Sequence, residues 1–256
     1  MPAVERERRG HVEILTINRP EARNAINGDV SLTMSSALDD LERDDECWGV
    51  VLTGAGDKAF SAGMDLKAFA SGEAGSIMGG TGGFAGITQR DFPKPLIAAV
   101  NGAALAGGCE IMLCCDLVVA AEHATFGIPE AKRGLVAGAG GLFRLPRRLP
   151  MAVALELALT GESIDARRAV DLGLINRVVP ADRVMAEALE LADAIAQNAP
   201  LAVRWSKRVM VRAAGLPDAE AWKINAEAVA AVFSSADAME GPVAFAEKRK
   251  PNWQGK

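Results

Sequence analysis

The run from Ala103 to Ala121 is the most apolar stretch of the chain, yet it carries two acids, Glu110 and Asp116. Two carboxylates at that depth make a bilayer span costly. The run therefore reads as the buried centre of a globular domain, and whatever packs around it must satisfy those acids. The 256 residues suffice for one large domain, or for a large domain with a small appendage. Half of them are apolar and 24% are charged, which is a globular balance and not a disordered one. With 28 basic and 33 acidic residues the net charge is −5, so the surface does not suit nonspecific nucleic-acid binding. The opening MPAVERERRG is polar, and no apolar run follows it. Neither a secretory signal, a transit peptide nor a membrane partner is expected, and the expected location is cytoplasmic. Cys47, Cys109, Cys114 and Cys115 form no CxxC pair, and His11 and His123 are too few to complete a zinc cluster. They read as small, reduced, buried side chains.

Hydrophobic periodicity divides the chain. HVEILTIN (11–18) alternates as a strand does, and Pro20 stops it. Val30, Met34, Ala37, Leu38 and Leu41 fall on one face of a helix spanning 27–45. Residues 48–53, 96–100 and 117–121 read as further strands, and 107–115 as a short buried helix. Between Ser71 and Gly86 stand seven glycines, 72, 75, 79, 80, 82, 83 and 86, a density that reads as a mobile surface loop. From Met151 the pattern is helical, over 151–160, 165–171, 182–197, 200–213 and 218–236, interrupted by one strand at 174–179. The last sixty residues look all-helical, which places a soft boundary at Ala199-Pro200: a core over 1–199 and a helical region over 200–256. No strict repeat is present, although strand–helix units recur in the first half.

Glu110 is the most informative side chain. On a helix its neighbours are Ala106, Gly107, Leu113 and Cys114, all small or apolar. Desolvation there raises a carboxyl's pKa toward neutrality, where it can give or take a proton. A structural glutamate satisfied by an arginine or by backbone amides fits the same surroundings equally well. Gly107 opens this helix, where first-turn N–H groups lack partners and can face an anion. Taken alone, Gly107 and Gly108 read rather as permitting close packing. Ser61 to Leu66 suggests a second tight turn with free N–H groups, or an ordinary helix cap at Asp65. Glu130 follows Pro129 and by itself reads as a helix-start acid. Gly138-Ala139-Gly140-Gly141 opens another helix. His123 reads as a surface residue, and Arg144, Arg147 and Arg148 as a solvated or subunit-facing patch. GxSxG, GxGxxG and Walker motifs are all absent.

Four segments in order carry a resemblance: NRPEARNAI (18–26), FSAGMDLKAF (60–69), the 94–141 segment from KPLIAAVNG to AGAGG, and EGPVAFAEKRKPNW (240–253). Together they resemble the enoyl-CoA hydratase/isomerase (crotonase) family, from about Val12 to Lys256. GGFAG (82–86) and AFAEKRKPNW (244–253) also resemble bacterial crotonobetainyl-CoA hydratases and actinobacterial enoyl-CoA hydratases. The resemblance implies an α/β crotonase (ClpP-like) spiral of ββα units, with C-terminal helices at a trimer interface and two trimers forming a hexamer. It implies an acyl-CoA thioester whose oxygen is held by the N–H groups of Met64 and Gly107. Glu110 and Glu130 are then the catalytic carboxyls, with the backbone of Gly138 near the water. CoA would run along Arg23, Ala25, Ala62, Asp65 and Leu66, with Lys248 reaching its phosphates from the same or a neighbouring subunit. No metal or redox cofactor is implied, because coenzyme A is part of the substrate.

The chain departs from the family pattern at Ala106, where many relatives have glycine, at Met64, commonly alanine, and at Ala137, commonly proline. These changes bear on acyl specificity more than on reaction type. Hydration of a 2-enoyl-CoA is the leading expectation. A hydratase or dehydratase specialised for crotonobetainyl-CoA is the alternative, as is an acyl-CoA-binding protein without activity on the same fold. A Δ3-Δ2 isomerase needs only one of the two glutamates.

Overall fold

The computed structural model describes residues 2–78 and 80–256. Among the described residues ten strands lie in two sheets. The larger contains β1 (Val4–Arg9), β2 (Val12–Ile17), β3 (Gly49–Gly54), β5 (Leu96–Val100), β7 (Leu117–Ala121) and β10 (Arg177–Val179), in the order β1-β2-β3-β5-β7-β10. The smaller contains β4 (Ala59–Ser61), β6 (Ala103–Leu105), β8 (Thr125–Gly127) and β9 (Ile164–Asp165), in the order β4-β6-β8-β9. Among the described residues only the β1–β2 and β8–β9 pairs are antiparallel. The chain lays one strand in the larger sheet and the next in the smaller, then runs through helix or turn back to the larger. Three such turns, β3–β4, β5–β6 and β7–β8, make the spiral of ββα units that the resemblance implied.

The central strands are buried on both faces, so they read as continuous apolar runs: GVVLTG, LIAAV and LVVAA. Ala103 to Ala121 is β6, the helix Gly107–Met112 and β7, with the helix and all of β7 after Leu117 in the interior, as its hydropathy demands. Asp116 leaves that interior at the foot of β7, where it accepts the Leu96 N–H at 2.8 Å and pairs with Lys207 at 2.7 Å. β1 was not visible in the hydropathy, because VERERR has no apolar period. It is an edge strand laddered on β2 along its whole length and reinforced by side chains: buried Glu13 accepts from Arg6 at 2.9 Å and Arg8 at 2.6 Å.

Two expectations fail in part. The glycine-rich segment lies at the surface over residues 71, 72, 75, 78, 80 and 81, as a surface loop would, but it is not without structure and its second half is interior. It contains a helix over Ala74–Met78 and a tight turn at Phe84–Gly86, with Ile77 and residues 82–88 buried. Its glycines serve close approach: a Cβ on Gly86 would lie 2.6 Å from the Ser35 nitrogen, and one on Gly82 would meet the Gly86 carbonyl at 2.0 Å. Gly79 lies outside the described residues. The basic patch is not free either. Arg144 and Arg148 are half-buried and donate to main-chain carbonyls, and only Arg147 is exposed.

The C-terminal helices are Pro200–Ala213, Asp218–Phe233 and Ala236–Ala246. The predicted helix over 218–236 breaks at Ser234-Ser235, where the Ser235 hydroxyl caps the next helix through the Ala238 N–H at 3.2 Å. Trp222, Phe233 and Phe245 stand more than two-thirds exposed, at 68%, 78% and 87%. Among the described residues no helix is long and apolar enough to cross a membrane.

Candidate active site

Three segments of the spiral converge on a cavity of about 350 Å³. The first is the turn after β4. There Met64 makes an isolated parallel bridge to Ile26: the Ile26 N–H donates to Gly63 O at 2.8 Å, and the Asp65 N–H donates to Ile26 O at 2.9 Å. Successive peptides of an extended segment point to opposite sides. With residues 63 and 65 both turned to Ile26, the Met64 N–H faces away from it. Ser61 steadies the turn, donating from its hydroxyl to Asn24 O at 2.8 Å and accepting from the Gly63 N–H at 3.2 Å.

The second segment is the start of the helix Gly107–Met112. A Cβ on Gly63 would lie 2.7 Å from the Gly107 nitrogen, so the two turns touch. A Cβ on Gly108 would meet the Ser61 carbonyl at 2.0 Å, and one on Gly107 would meet the Phe84 ring at 2.6 Å. The packing reading of these glycines is therefore correct, and it also brings the Met64 and Gly107 amides to one wall. Among the described residues neither N–H donates a main-chain bond in the surrounding loops and turns. Gly107 is the first residue of its helix, where no intrahelical acceptor exists. Ala106, just before it, is held at φ +51°, a conformation that favours glycine.

The third segment supplies the carboxyls. Glu110 is buried, and its Oε1 accepts the N–H groups of Ala139 and Gly141, both at 2.8 Å. Backbone amides, not an arginine, thus satisfy it. No described group donates to its Oε2. Burial pushes its pKa up, against the pull of those two amides and of the Arg144 charge. Glu130, in the turn Pro129–Arg133, has a buried Oε2 with no partner. Burial raises its pKa most; its own amide pulls it back, the Glu110 charge adds to the rise, and Arg133 lowers it slightly.

Glu110, Glu130, Met64, Gly107, Gly138, Arg23, Ala62 and Leu66 all line this cavity. Ala25, Asp65 and Lys248 do not. Ala25 is buried, with its carbonyl accepting from Arg19 at 2.6 Å. Asp65 is a helix cap, accepting from the Lys67 and Ala68 amides at 3.1 and 3.2 Å, and it pairs with Arg19 at 2.9 Å. Burial alone would raise the Asp65 carboxyl, but these partners hold it below its ordinary value. Lys248 is exposed near the chain's end at φ +56°. His123 is a surface residue, 3.1 Å from the Asp57 carbonyl. Cys109 and Cys114 are free thiols that burial pushes up to about 12 and about 11.

The enoyl-CoA hydratase/isomerase family model matches residues 7–256. The chain belongs to that family. Carnitinyl-CoA dehydratases of Salmonella typhi and Salmonella agona are 43% identical to it over 254 residues, 97% of either length. A crystal structure of enoyl-CoA hydratase from Mycobacterium tuberculosis H37Rv matches it with TM-score 0.96 at 48% identity, over 100% of both chains. Carnitinyl-CoA hydratase from Mycobacterium avium matches with TM-score 0.80 at 50% identity, also over 100% of both. In this member of the enoyl-CoA hydratase/isomerase family, sequence reasoning missed Ala139 and Gly141, which hold Glu110 through main-chain atoms that no side-chain pattern marks. The resemblance also implies that the glycine-rich segment 71–86 borders the acyl pocket, and Met78 and Phe84 of that segment do line the cavity; Leu135 and Val136, which complete the apolar wall, were missed.

Proposed function

We propose that the chain catalyses reversible hydration of a 2-enoyl-CoA to a 3-hydroxyacyl-CoA. The observation that carries this reading is one buried and one half-buried carboxyl on a cavity with two amides that, among the described residues, donate no main-chain bond in the surrounding loops and turns. Water adding to C3 of a conjugated thioester sends charge to the thioester oxygen. Preorganised N–H donors at Met64 and Gly107 would stabilise that charge, each worth about 3–4 kcal/mol of barrier. Met64 contributes only its N–H, so the methionine side chain is compatible with the role and shapes the pocket instead.

The surroundings of the two glutamates divide their tasks. Glu110 accepts two N–H bonds, which favour its ionised form. Its Oε2 is left for a water, so Glu110 orients and deprotonates the nucleophile. Glu130 has an unpartnered oxygen and faces a negative neighbour, both of which favour the protonated form. It delivers the proton to C2. Dehydration reverses the roles, and the pair titrates as a unit. The backbone of Gly138 borders the water site, and nothing nearer than 3.8 Å would meet a Cβ there. The pantetheine arm leaves along Ala62 and Leu66 toward Arg23, whose charge suits the CoA phosphates. Asp65 and Ala25 support that wall from behind, and Lys248 would act from a neighbouring chain. The exposed apolar faces of the C-terminal helices are the surfaces that a homotrimer or hexamer would cover. The chemistry requires no metal or redox cofactor.

A second reading, hydration of crotonobetainyl-CoA, has the names of the relatives in its favour. A quaternary ammonium calls for aromatic faces or a spare carboxylate. Among the lining residues the one aromatic is Phe84, the carboxylates are the two catalytic ones, and Arg133 adds a like charge. An uncharged acyl group is the better match to Met64, Met78, Phe84, Leu135 and Val136. A panel of enoyl-CoA esters, including the trimethylammonium compound, tests this. A higher kcat/KM for crotonyl-CoA supports the general hydratase, a higher one for crotonobetainyl-CoA supports the specialised enzyme, and binding without turnover of any ester refutes both.

A further inference from the structure

Arg144 stands on the helix Gly141–Arg148, immediately beyond the loop that holds Glu110. Its Nη1 donates to Ala139 O at 3.0 Å and its Nη2 to Thr88 O at 2.6 Å. Among the described residues no carboxylate lies in ion-pair contact with it. A half-buried guanidinium thus spends its hydrogen bonds on two neutral carbonyls. The local backbone is shaped for it: a Cβ on Gly140 would lie 2.0 Å from Nη1, so residue 140 has to be glycine for the side chain to fold back.

The two carbonyls belong to two separate segments that border the cavity. The Ala139 peptide gives its N–H to Glu110 and the next carbonyl to Arg144. Thr88 follows the Phe84–Gly86 turn, whose Phe84 ring lies against Gly107. One guanidinium therefore ties the loop that orients a carboxyl to the turn that backs the amide opposite. Its positive charge, unmatched by any acid in contact, lies close enough to Glu110 to favour the ionised form.

We infer that Arg144 is a positioning residue of this site, fixing the Ala139–Gly141 loop whose two amides hold Glu110. This rests on the hydratase reading for its effect on turnover, but not for its effect on Glu110 itself. Other charged or titratable groups face Glu110 from each element packed on it. Glu130 comes from the turn Pro129–Arg133, Cys109 from its own helix and Cys114 from the residues after it, and the Glu110 charge raises the pKa of each.

Two measurements test the inference. Arg144→Gln and Arg144→Met remove the charge, and Arg144→Lys keeps it while losing the fork. In hydration assays the neutral variants are expected to lose tenfold or more in kcat and to shift the acid limb of the pH–rate profile upward. The lysine variant is expected to keep the acid limb of the wild type with an intermediate kcat. A merely structural arginine would lower kcat in all three without moving the limb. Independently of activity, the Tm difference between each protein and its Glu110→Gln counterpart, followed against pH, reports the ionisation of Glu110. That curve is expected to move to higher pH in whichever neutral variant folds, and to stay in place in the lysine variant. An unmoved curve in the neutral variants overturns the inference. Absence of hydratase activity in the wild type, with the curve moved as expected, overturns the proposed reaction but not the role of Arg144.

Discussion

Gly107→Ala separates the amide wall from the carboxyls. The added methyl would sit 2.6 and 2.7 Å from the Cε1 and Cζ atoms of Phe84, and 3.4 Å from the Gly63 Cα. Carbon atoms rest at about 3.5–4.0 Å, so the ring is about 1 Å too close. Phe84 is buried, and its turn is pinned against the helix Gly28–Arg43 by the contact of Gly86 with Ser35. Either the ring tips into the acyl cavity, or the first turn of the helix moves and takes the Gly107 N–H with it. Overpacking of this kind destabilises by about 1–3 kcal/mol. Misdirecting one oxyanion donor lowers kcat about 100- to 1,000-fold. Steady-state hydration of crotonyl-CoA with a parallel thermal melt reads both effects. Adding Phe84→Leu removes the obstructing ring edge and is expected to recover at least tenfold of the lost kcat. A fully active Gly107→Ala protein refutes the reasoning, and so does a double variant no better than the single one.

Glu110→Gln tests the electrostatics by stability. A carboxyl whose folded pKa is raised lends stability that is complete below its ordinary pKa and is lost as pH climbs through the raised value. The glutamine variant is therefore expected to gain in Tm on the wild type as pH rises from acid to neutral, and a difference that falls with pH contradicts this. Ala106→Gly relieves a φ of +51° and is expected to stabilise by about 1 kcal/mol, the relief of strain exceeding the extra entropy of glycine. Denaturant melts read that sign. Asn24→Ala removes the donor that reaches the Ala55 and Ala59 carbonyls at 2.9 and 2.7 Å, leaving Ala59 O the longer bond from Asn101 at 3.3 Å, and deprives the Arg19 N–H of its acceptor. A loss of about 3 kcal/mol is expected in the same melts.

Much of the fold was legible because burial on both faces leaves its mark on composition. The strands at 96–100 and 117–121 are uninterrupted apolar runs, and the helix over 200–213 begins at a proline as its pattern says. The smaller sheet was not legible. Its strands are two or three residues long, too short for a period of two to declare itself. Glycine was ambiguous for a physical reason: the absence of Cβ permits mobility and close packing alike, and at Gly82 and Gly86 the packing use prevails. At the site, Glu110 stood out as an acid on an apolar face. What holds it did not, because the Ala139 and Gly141 amides are main-chain groups that any residue supplies. Arg144 looked solvated for the same reason, its partners being carbonyls rather than a paired acid.

The most direct test of the two-carboxyl account is hydration of crotonyl-CoA by Glu110→Gln and Glu130→Gln proteins, with affinity for a saturated acyl-CoA measured on the same samples. Each substitution is expected to lower kcat about 100- to 10,000-fold, the span of a general acid or base, while Kd changes less than threefold. Turnover at the wild-type rate in either variant contradicts the account.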